Sequence, residues 1–302
     1  MKRKTTAAAR GKWRGILLQL GVDGRFLTGK HGPCPMCEGH DRFRWDNKGG
    51  NGSWICSQCG AGDGRELLKR LKNWDVITAA REVDKIVGNV ESEPVAKPID
   101  TDKRRQFLNE LWKKTAPLAD GDPVSAYFQA RKLDMPKSRD IRVSPLCRAP
   151  DGSEHPAMIA LVRDASGKPA TIHRTYLDHG RKADIEQPRA LMPGEIPDGA
   201  CVHLFEQSSH IGIAEGIETA LAAAKLWDVP TWAALNSAMM AKWIPPAGVE
   251  RVTVFGDNDK KFGGQASAFT LAHRLAVKGL EVDVRIPSTA GFDWADIAEG
   301  KT

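Results

Sequence analysis

Four cysteines stand as Cys34-x2-Cys37-x18-Cys56-x2-Cys59. Thiolates are soft ligands, and two CxxC hairpins supply the four corners of a tetrahedron with no position left open. The chemistry this spacing predicts is one structural Zn2+ that holds a fold and does not itself catalyse. His31 and His40 flank the first knuckle and could replace a thiolate, although four cysteines are enough. Cys147 and Cys201 stand alone. Paired knuckles without a signal peptide do not read as a secreted disulfide scaffold.

Between the knuckles, Arg42 and Arg44 alternate with Phe43 and Trp45, and Trp54 lies on the following apolar segment. Guanidinium groups on one face of a strand would meet phosphates, and an exposed ring such as Trp45 could stack on an unpaired base. The competing expectation is that Phe43, Trp45 and Trp54 form the small core that a zinc module of this size needs. Arg42 and Arg44 are the better candidates for nucleic-acid contact.

A second set of residues is acidic. Glu215 closes the apolar run Ile211-Gly-Ile-Ala214, Asp257 and Asp259 follow Val252-Thr-Val-Phe255, and Asp293 and Asp296 follow Val282-Asp-Val-Arg-Ile286. If these runs are parallel strands, all five acids fall at the carboxyl edge of one sheet, where such sheets bind ligands. Hard oxygen ligands there suit Mg2+ carrying phosphate.

The elements that must position these groups can be read in outline. A short helix is expected over Gly11–Leu20, then a hairpin of Asp41–Asp46 and Ser53–Cys56 around the glycine-rich Lys48–Gly52. Asp63 and Glu66 look like a capping box opening a helix to about Leu71. Val76, Ile77, Ala80, Val83 and Val87 then share a helical face, with Gly88 ending it. Residues 91–104 hold two prolines and no periodicity, and read as a linker. A helix over Arg105–Thr115, another around Pro123–Arg131, and strands Ala157–Arg163 and Thr171–Leu177 follow. From Val202, strands Ile211–Ala214, Thr231–Leu235, Val252–Phe255 and Val282–Ile286 alternate with helices Ile217–Leu226 and Gln265–Lys278. That alternation implies a parallel sheet covered on both faces.

The fold class is therefore α/β, or α+β over the whole chain. The expected domains are a zinc ribbon with helices at 11–90, a linker at 91–104, a mixed subdomain at 105–200 and a parallel-sheet domain at 201–302. The 302 residues carry a net charge of +6. Residues 1–90 have 17 Lys and Arg against 9 Asp and Glu, residues 91–200 have 18 against 17, and residues 201–302 have 9 against 12. A basic first third beside a slightly acidic last third suits a polyanion grip joined to a carboxylate-built site. No apolar run reaches the ~20 residues of a membrane span, so a soluble, cytoplasmic protein without membrane contact is expected.

Taken together, Ile213-Ala-Glu-Gly-Ile-Glu-Thr-Ala-Leu221, Asp257-Asn-Asp259 and Asp293-Trp-Ala-Asp296 resemble a TOPRIM domain, the fold of bacterial-type primases, type IA and II topoisomerases and some nucleases. His31-Gly-Pro-Cys-Pro-Met-Cys37, Asp41-Arg-Phe-Arg44 and Trp54-Ile-Cys-Ser-Gln-Cys-Gly-Ala-Gly-Asp-Gly64 resemble the zinc ribbon of phage and plasmid primases. Ile172-His-Arg-Thr-Tyr-Leu-Asp178, with Lys182 and Arg189, is similar to the segment before TOPRIM in those proteins. The resemblance covers nearly all of residues 30–300.

It implies a primase that makes RNA primers from NTPs on a single-stranded DNA template, in the cytosol of a bacterial host, for a phage, plasmid or other mobile element. Glu215 would be the catalytic or metal-organising acid. Asp257 and Asp259 would hold catalytic Mg2+ or Mn2+ on nucleotide phosphates, and Asp293 and Asp296 would complete the acidic set. Arg174, Lys182 and Arg189 would face template or nucleotide phosphates. One departure is plain: replicative primases carry an Asp four residues after the TOPRIM glutamate, where this chain has Thr219, with Glu218 one residue earlier. The role of Glu218 is left open. No Walker A motif appears, and the closing Glu299-Gly-Lys-Thr302 follows no strand, so a separate replicative helicase is expected.

Three other readings use the same residues. A topoisomerase needs a tyrosine nucleophile in a DNA-gate domain, and Tyr127 and Tyr176 lie in no region that reads as one. A nuclease would employ the same metal-bound acids. A non-catalytic zinc-dependent DNA-binding protein would lack part of the acid set, whereas Glu215, Asp257 and Asp259 are all present here.

Overall fold

The computed structural model describes residues 7–91 and 101–301. The chain divides into two compact units, Met1–Asp100 and Thr101–Thr302. Among the described residues no helix is long and apolar enough to cross a membrane.

Among its described residues, the first unit combines a four-stranded antiparallel sheet with the α-helices named below. Helix α1 (Trp13–Gln19) precedes strands β1 (His31–Gly32), β2 (Phe43–Trp45), β3 (Trp54–Cys56) and β4 (Gly60–Gly62), which lie side by side in chain order. The expected hairpin is the β2–β3 pair, in register Phe43↔Cys56 and Trp45↔Trp54. Strands β1 and β4 escape sequence reading because two or three residues, glycines among them, carry no alternation. Helices α2 (Gly64–Lys72) and α3 (Val76–Ile86) follow. Asp63 caps α2, its side chain accepting from the Glu66 N–H at 2.8 Å, whereas the Glu66 carboxylate reaches Lys69 and Arg70. In α3 the inward positions are Ala79 and Val83; Ile77, expected on the buried face, is 68% exposed.

Trp13, Phe43, Trp45, Trp54, Leu67 and Leu68 are all buried in one core. Trp13 lies so close to the start of α2 that a Cβ on Gly64 would come within 2.3 Å of its ring. Only glycine lets that helix begin there.

In the second unit, helix α4 (Thr101–Lys113) starts four residues earlier than expected, so 101–104 are its first turn. The remainder of the expected linker, residues 92–100, lies outside the described residues. Helix α5 (Pro123–Ala130) is capped by Asp122, which accepts from the Val124 and Ser125 N–H groups. A mixed-length antiparallel sheet is built from β5 (Ala116–Pro117), β6 (Ile141–Arg148), β7 (Glu154–Arg163), β8 (Pro169–Asp178) and β10 (Arg189–Leu191), with β9 (Arg181–Lys182) paired to β8. Its two faces bury different clusters. Met158, Ala160, Val162 and Leu177 join one core, while Ile159, Ile172 and Tyr176 join another with Leu108, Leu111 and Trp112 of α4.

The last stretch is a parallel sheet in the order β12 (Thr231–Ala233), β11 (His210–Ala214), β13 (Arg251–Phe255), β14 (Glu281–Arg285). Helices α6 (Ile217–Trp227) and α9 (Trp294–Glu299) pack against each other, and α7 (Ser237–Lys242) packs against α8 (Gly263–Ala276). Ile211, Ile213, Val252 and Val254 are buried with Leu271 and Leu275 of α8, and Ala214 and Phe255 with Ala220 and Leu221 of α6, so both faces are covered. Cys201 bridges to Arg163 of β7 and Val202 to Ala233 of β12, tying the two sheets of this unit together.

Candidate zinc site and acidic edge

The four cysteine Sγ atoms all lie within 4.8 Å of one another. Cys34 and Cys59 are 3.8 Å apart, as are Cys37 and Cys56. A tetrahedron with Zn–S bonds of about 2.3 Å has edges of about 3.8 Å, which these two separations match. None of the six cysteines is in a disulfide. The knuckle backbone supports the sulfurs: the Met36 N–H points to Cys34 Sγ and the Cys59 N–H to Cys56 Sγ, each at 3.4 Å. His31 instead meets Arg44 Nη1 at 3.2 Å, and His40 is exposed. The zinc set is the four cysteines.

Trp45 is not available for stacking on bases. It is 4% exposed, and Phe43 and Trp54 stack beneath the same sheet with ring centroids 5.9 Å apart. The strand alternation that puts Arg42 and Arg44 outward puts Phe43 and Trp45 inward. Arg42 hydrogen-bonds the Gln58 side-chain oxygen, and Arg44 pairs with Asp46 at 2.5 Å. Both arginines keep to the outer face of β2.

In the second unit, Glu215 follows the last residue of β11, and Asp257 and Asp259 follow β13. The 287–293 segment is pinned beside them by Asn258, whose side-chain amide donates to the Pro287 carbonyl and whose backbone N–H donates to Phe292 O, at 2.7 and 2.9 Å. Gln265 donates to Asn258 Oδ1 at 2.7 Å. Asp259 Oδ2 accepts from the Gly264 N–H at 2.8 Å, at the start of α8. Here too glycine is required, since a Cβ on Gly264 would meet the Asp257 backbone oxygen at 2.5 Å. Asn258 thus holds this loop, a part that the sequence does not signal, because an amide between two acids says nothing of its distant partners.

Asp257 is the electrostatic centre of this edge. Burial, reinforced by the charges of Glu215, Asp293, Asp259 and Asp296, pushes its carboxyl up to about 8. Its Oδ1 is buried without a hydrogen-bond partner. A buried, unpaired oxygen surrounded by like charge is a poor resting state for a carboxylate, and a hard divalent cation is what such a group fits. Asp293 is raised by burial, caps α9 through Oδ1 and receives the Thr219 hydroxyl on Oδ2 at 3.4 Å. Asp296 is otherwise occupied: Oδ2 accepts from the Asp293 N–H and Oδ1 pairs with Lys301 at 2.5 Å. It completes the capping box of α9.

The three basic candidates of the antiparallel sheet do not share a face. Leu177 pairs directly with Lys182 and Thr175 with Arg189, so both cations project on the face of His173, Thr175 and Leu177. Arg174 alternates to the other face, where it lies 5.5 Å from the Tyr176 ring and donates to the Arg148 carbonyl at 3.2 Å. Of the three candidates, Arg174 therefore stands apart from Lys182 and Arg189: one residue of strand parity separates them. On the shared face, His173 is buried and, through burial and then the Arg189 charge, falls to about 3.

Glu218 is not part of the acidic edge. It is 5% exposed, receives the Tyr127 hydroxyl at 2.6 Å and pairs with Lys182 at 2.8 Å. Burial opposes its ionisation, but Lys182, Tyr127 and Arg189 together hold the carboxyl well below the usual range.

Three family models match the chain. Residues 29–65 match the zinc-binding domain of primase-helicase, residues 102–203 a domain of unknown function (DUF7146), and residues 210–301 the Toprim domain. The chain thus carries an N-terminal zinc ribbon of the primase type and a C-terminal Toprim domain, in a mixed α/β architecture. Among solved structures, the chain is similar to the zinc-binding and RNA polymerase domains of the Aquifex aeolicus primase, at 14% identity and a TM-score of 0.45, over 98% of this chain and 82% of that one. It is similar to the catalytic core of the E. coli primase at 13% identity and a TM-score of 0.36, over 67% and 70%. A structure of bacteriophage T7 lagging-strand DNA polymerase with primase domains matches at 15% identity and a TM-score of 0.33, over 59% and 82%.

Proposed function

We propose that this protein is a DNA primase that synthesises short RNA primers from NTPs on single-stranded DNA, serving the replication of a phage, plasmid or other mobile element. The observation that carries the reading is the convergence of carboxylate charge on Asp257 at the carboxyl edge of a Toprim sheet, in a chain that also bears a primase-type zinc ribbon. Glu215, Asp257, Asp259 and Asp293 would hold Mg2+ or Mn2+, with Asp296 serving as a cap. When bound, the ion supplies positive charge to an in-line phosphoryl transfer. Asp257 has an oxygen free of protein partners for that purpose.

Lys182 and Arg189 project from one sheet face and act on template or nucleotide phosphates as charges, without reading bases. Arg42 and Arg44 offer the outer face of the ribbon to the template backbone. Residues 11–90 then serve as the template-binding domain, 105–200 as the N-terminal subdomain of the primase core and 201–302 as the catalytic domain. The test is to incubate the protein with single-stranded DNA, Mg2+ and labelled NTPs in the absence of any primer. Short RNA supports the reading; cut DNA without RNA replaces it with a nuclease.

A further inference from the structure

Glu218 and Lys182 form a buried ion pair inside the second unit that neither zinc binding nor the acidic edge accounts for. Lys182 lies on β9 of the antiparallel sheet and Glu218 in the first turn of α6, the helix that begins just after Glu215. The pair is 2.8 Å long, with the Lys182 side chain 28% exposed and that of Glu218 7%. Tyr127 of α5 supplies a second donor to the same Glu218 oxygen, although 91 residues separate the two in sequence. Arg131 donates to the Tyr127 hydroxyl at 3.4 Å and pairs with Glu299 of α9 at 2.6 Å. Lys182 also lies 6.0 Å from the centre of the Tyr127 ring.

A lone buried carboxylate is costly unless it is paired, and a structural anchor is usually made from apolar groups instead. Here the carboxylate serves a cation that stays partly exposed. Lys182 is a flexible four-carbon stem ending in a point charge, and such a side chain loses much rotamer freedom when fixed. One of its three protons is engaged by Glu218, and its partial exposure leaves the ammonium accessible to an anion. Arg189 projects on the same face, and His173 beside them is held neutral by burial and then by the Arg189 charge.

We infer that Glu218 is a positioning residue that fixes the Lys182 ammonium as a preformed contact for the triphosphate of the incoming nucleotide, with Tyr127 holding Glu218 in turn. This rests on the reading of Lys182 as a phosphate contact. Preorganisation of that kind improves affinity by removing the ordering cost from the binding step. It also explains why the residue after Gly216 and Ile217 is acidic yet turned away from the acidic edge, while Thr219 alone reaches Asp293.

The experiment compares wild type, Glu218→Gln, Lys182→Met, the double variant and Tyr127→Phe. It measures KM for NTPs and kcat in primer synthesis, the affinity for inorganic tripolyphosphate by calorimetry, and the thermal midpoint. Glu218→Gln retains the Tyr127 hydrogen bond and should raise KM and weaken tripolyphosphate binding by roughly tenfold, about the loss of one charge-assisted hydrogen bond, with kcat changed less than about threefold. Tyr127→Phe should move the same quantities in the same direction by a smaller factor. The double variant should be no worse than Lys182→Met alone, because Glu218 acts through Lys182. Independent, multiplying effects, or a normal KM and normal tripolyphosphate affinity in folded Glu218→Gln beside a raised KM in Lys182→Met, overturn the inference. A normal KM in folded Lys182→Met overturns the underlying reading of the lysine itself.

Discussion

The cysteine quartet and the acidic edge, proposed above as a second ligand set, differ in how far the chain alone satisfies their charged groups. The quartet is gathered: its four sulfurs lie within 4.8 Å of one another, two pairs of them 3.8 Å apart, and knuckle N–H groups point at two of them. The acidic edge is the opposite. Burial, and then the charges of four neighbouring acids, oppose the ionisation of Asp257, and one of its oxygens is buried without a partner. A structural site can be closed and satisfied because nothing must leave it. A site for metal-assisted chemistry keeps unsatisfied charge for the ion and substrate, and the fold around it bears the strain.

The largest effect should come from breaking the cysteine site. Cys56→Ser removes one corner of the tetrahedron, and metal content should fall from one zinc per chain to none. The first unit should then lose its cooperative unfolding transition, because zinc binding is folding free energy in a domain of this size. Metal analysis and thermal melts check this, and a zinc-free variant with an unchanged melt would contradict it.

A smaller effect of opposite sign should follow from relieving the acidic edge. The Asp257 carboxyl has its folded value raised to about 8, so the native state holds a proton that the unfolded chain releases near 4. Stability of the metal-free protein is therefore unpenalised below about pH 4, falls as pH rises toward about 8 and is lowest above it. Asp257→Asn removes that penalty. In chelator at pH 8 it should raise the thermal midpoint by about a few degrees, with less gain at pH 5. Melts of both proteins at the two pH values decide it, and a destabilised variant at pH 8 would mean that the carboxylate is satisfied within the fold.

The smallest contrast separates the two faces of the antiparallel sheet. Arg189→Ala should weaken tripolyphosphate and template binding by about tenfold, whereas Arg174→Ala should leave both within about twofold. Equal losses would mean that strand parity does not sort these arginines.

What could be read from the sequence follows the same division. The zinc set was legible because its ligands come in two local hairpins, and the parallel strands were legible because they are short apolar runs between helices. Strand β6 was hidden by Pro145 and by the irregular register between Ser144 and Cys147, which breaks the alternation. Helices α7 and α9, six residues each, are too short to show a period. Trp45 could serve as core or as a stacking ring, and only its burial opposite Trp54 in the folded core decides between them. Arg174 was grouped with Lys182 and Arg189 because the face of a strand residue depends on its register partners. Glu218 was unreadable for a related reason, since its partners Tyr127 and Lys182 are distant in sequence and meet it only in the fold.

The most direct measurement is primer synthesis by wild type and by the Asp257→Ala/Asp259→Ala double variant, on single-stranded DNA with Mg2+ and NTPs, alongside DNA binding by both. The account predicts short RNA from wild type only, with DNA binding within about twofold in the variant, because the ribbon and the face bearing Lys182 and Arg189 are untouched. Primers made by the double variant would contradict it and place the active site elsewhere.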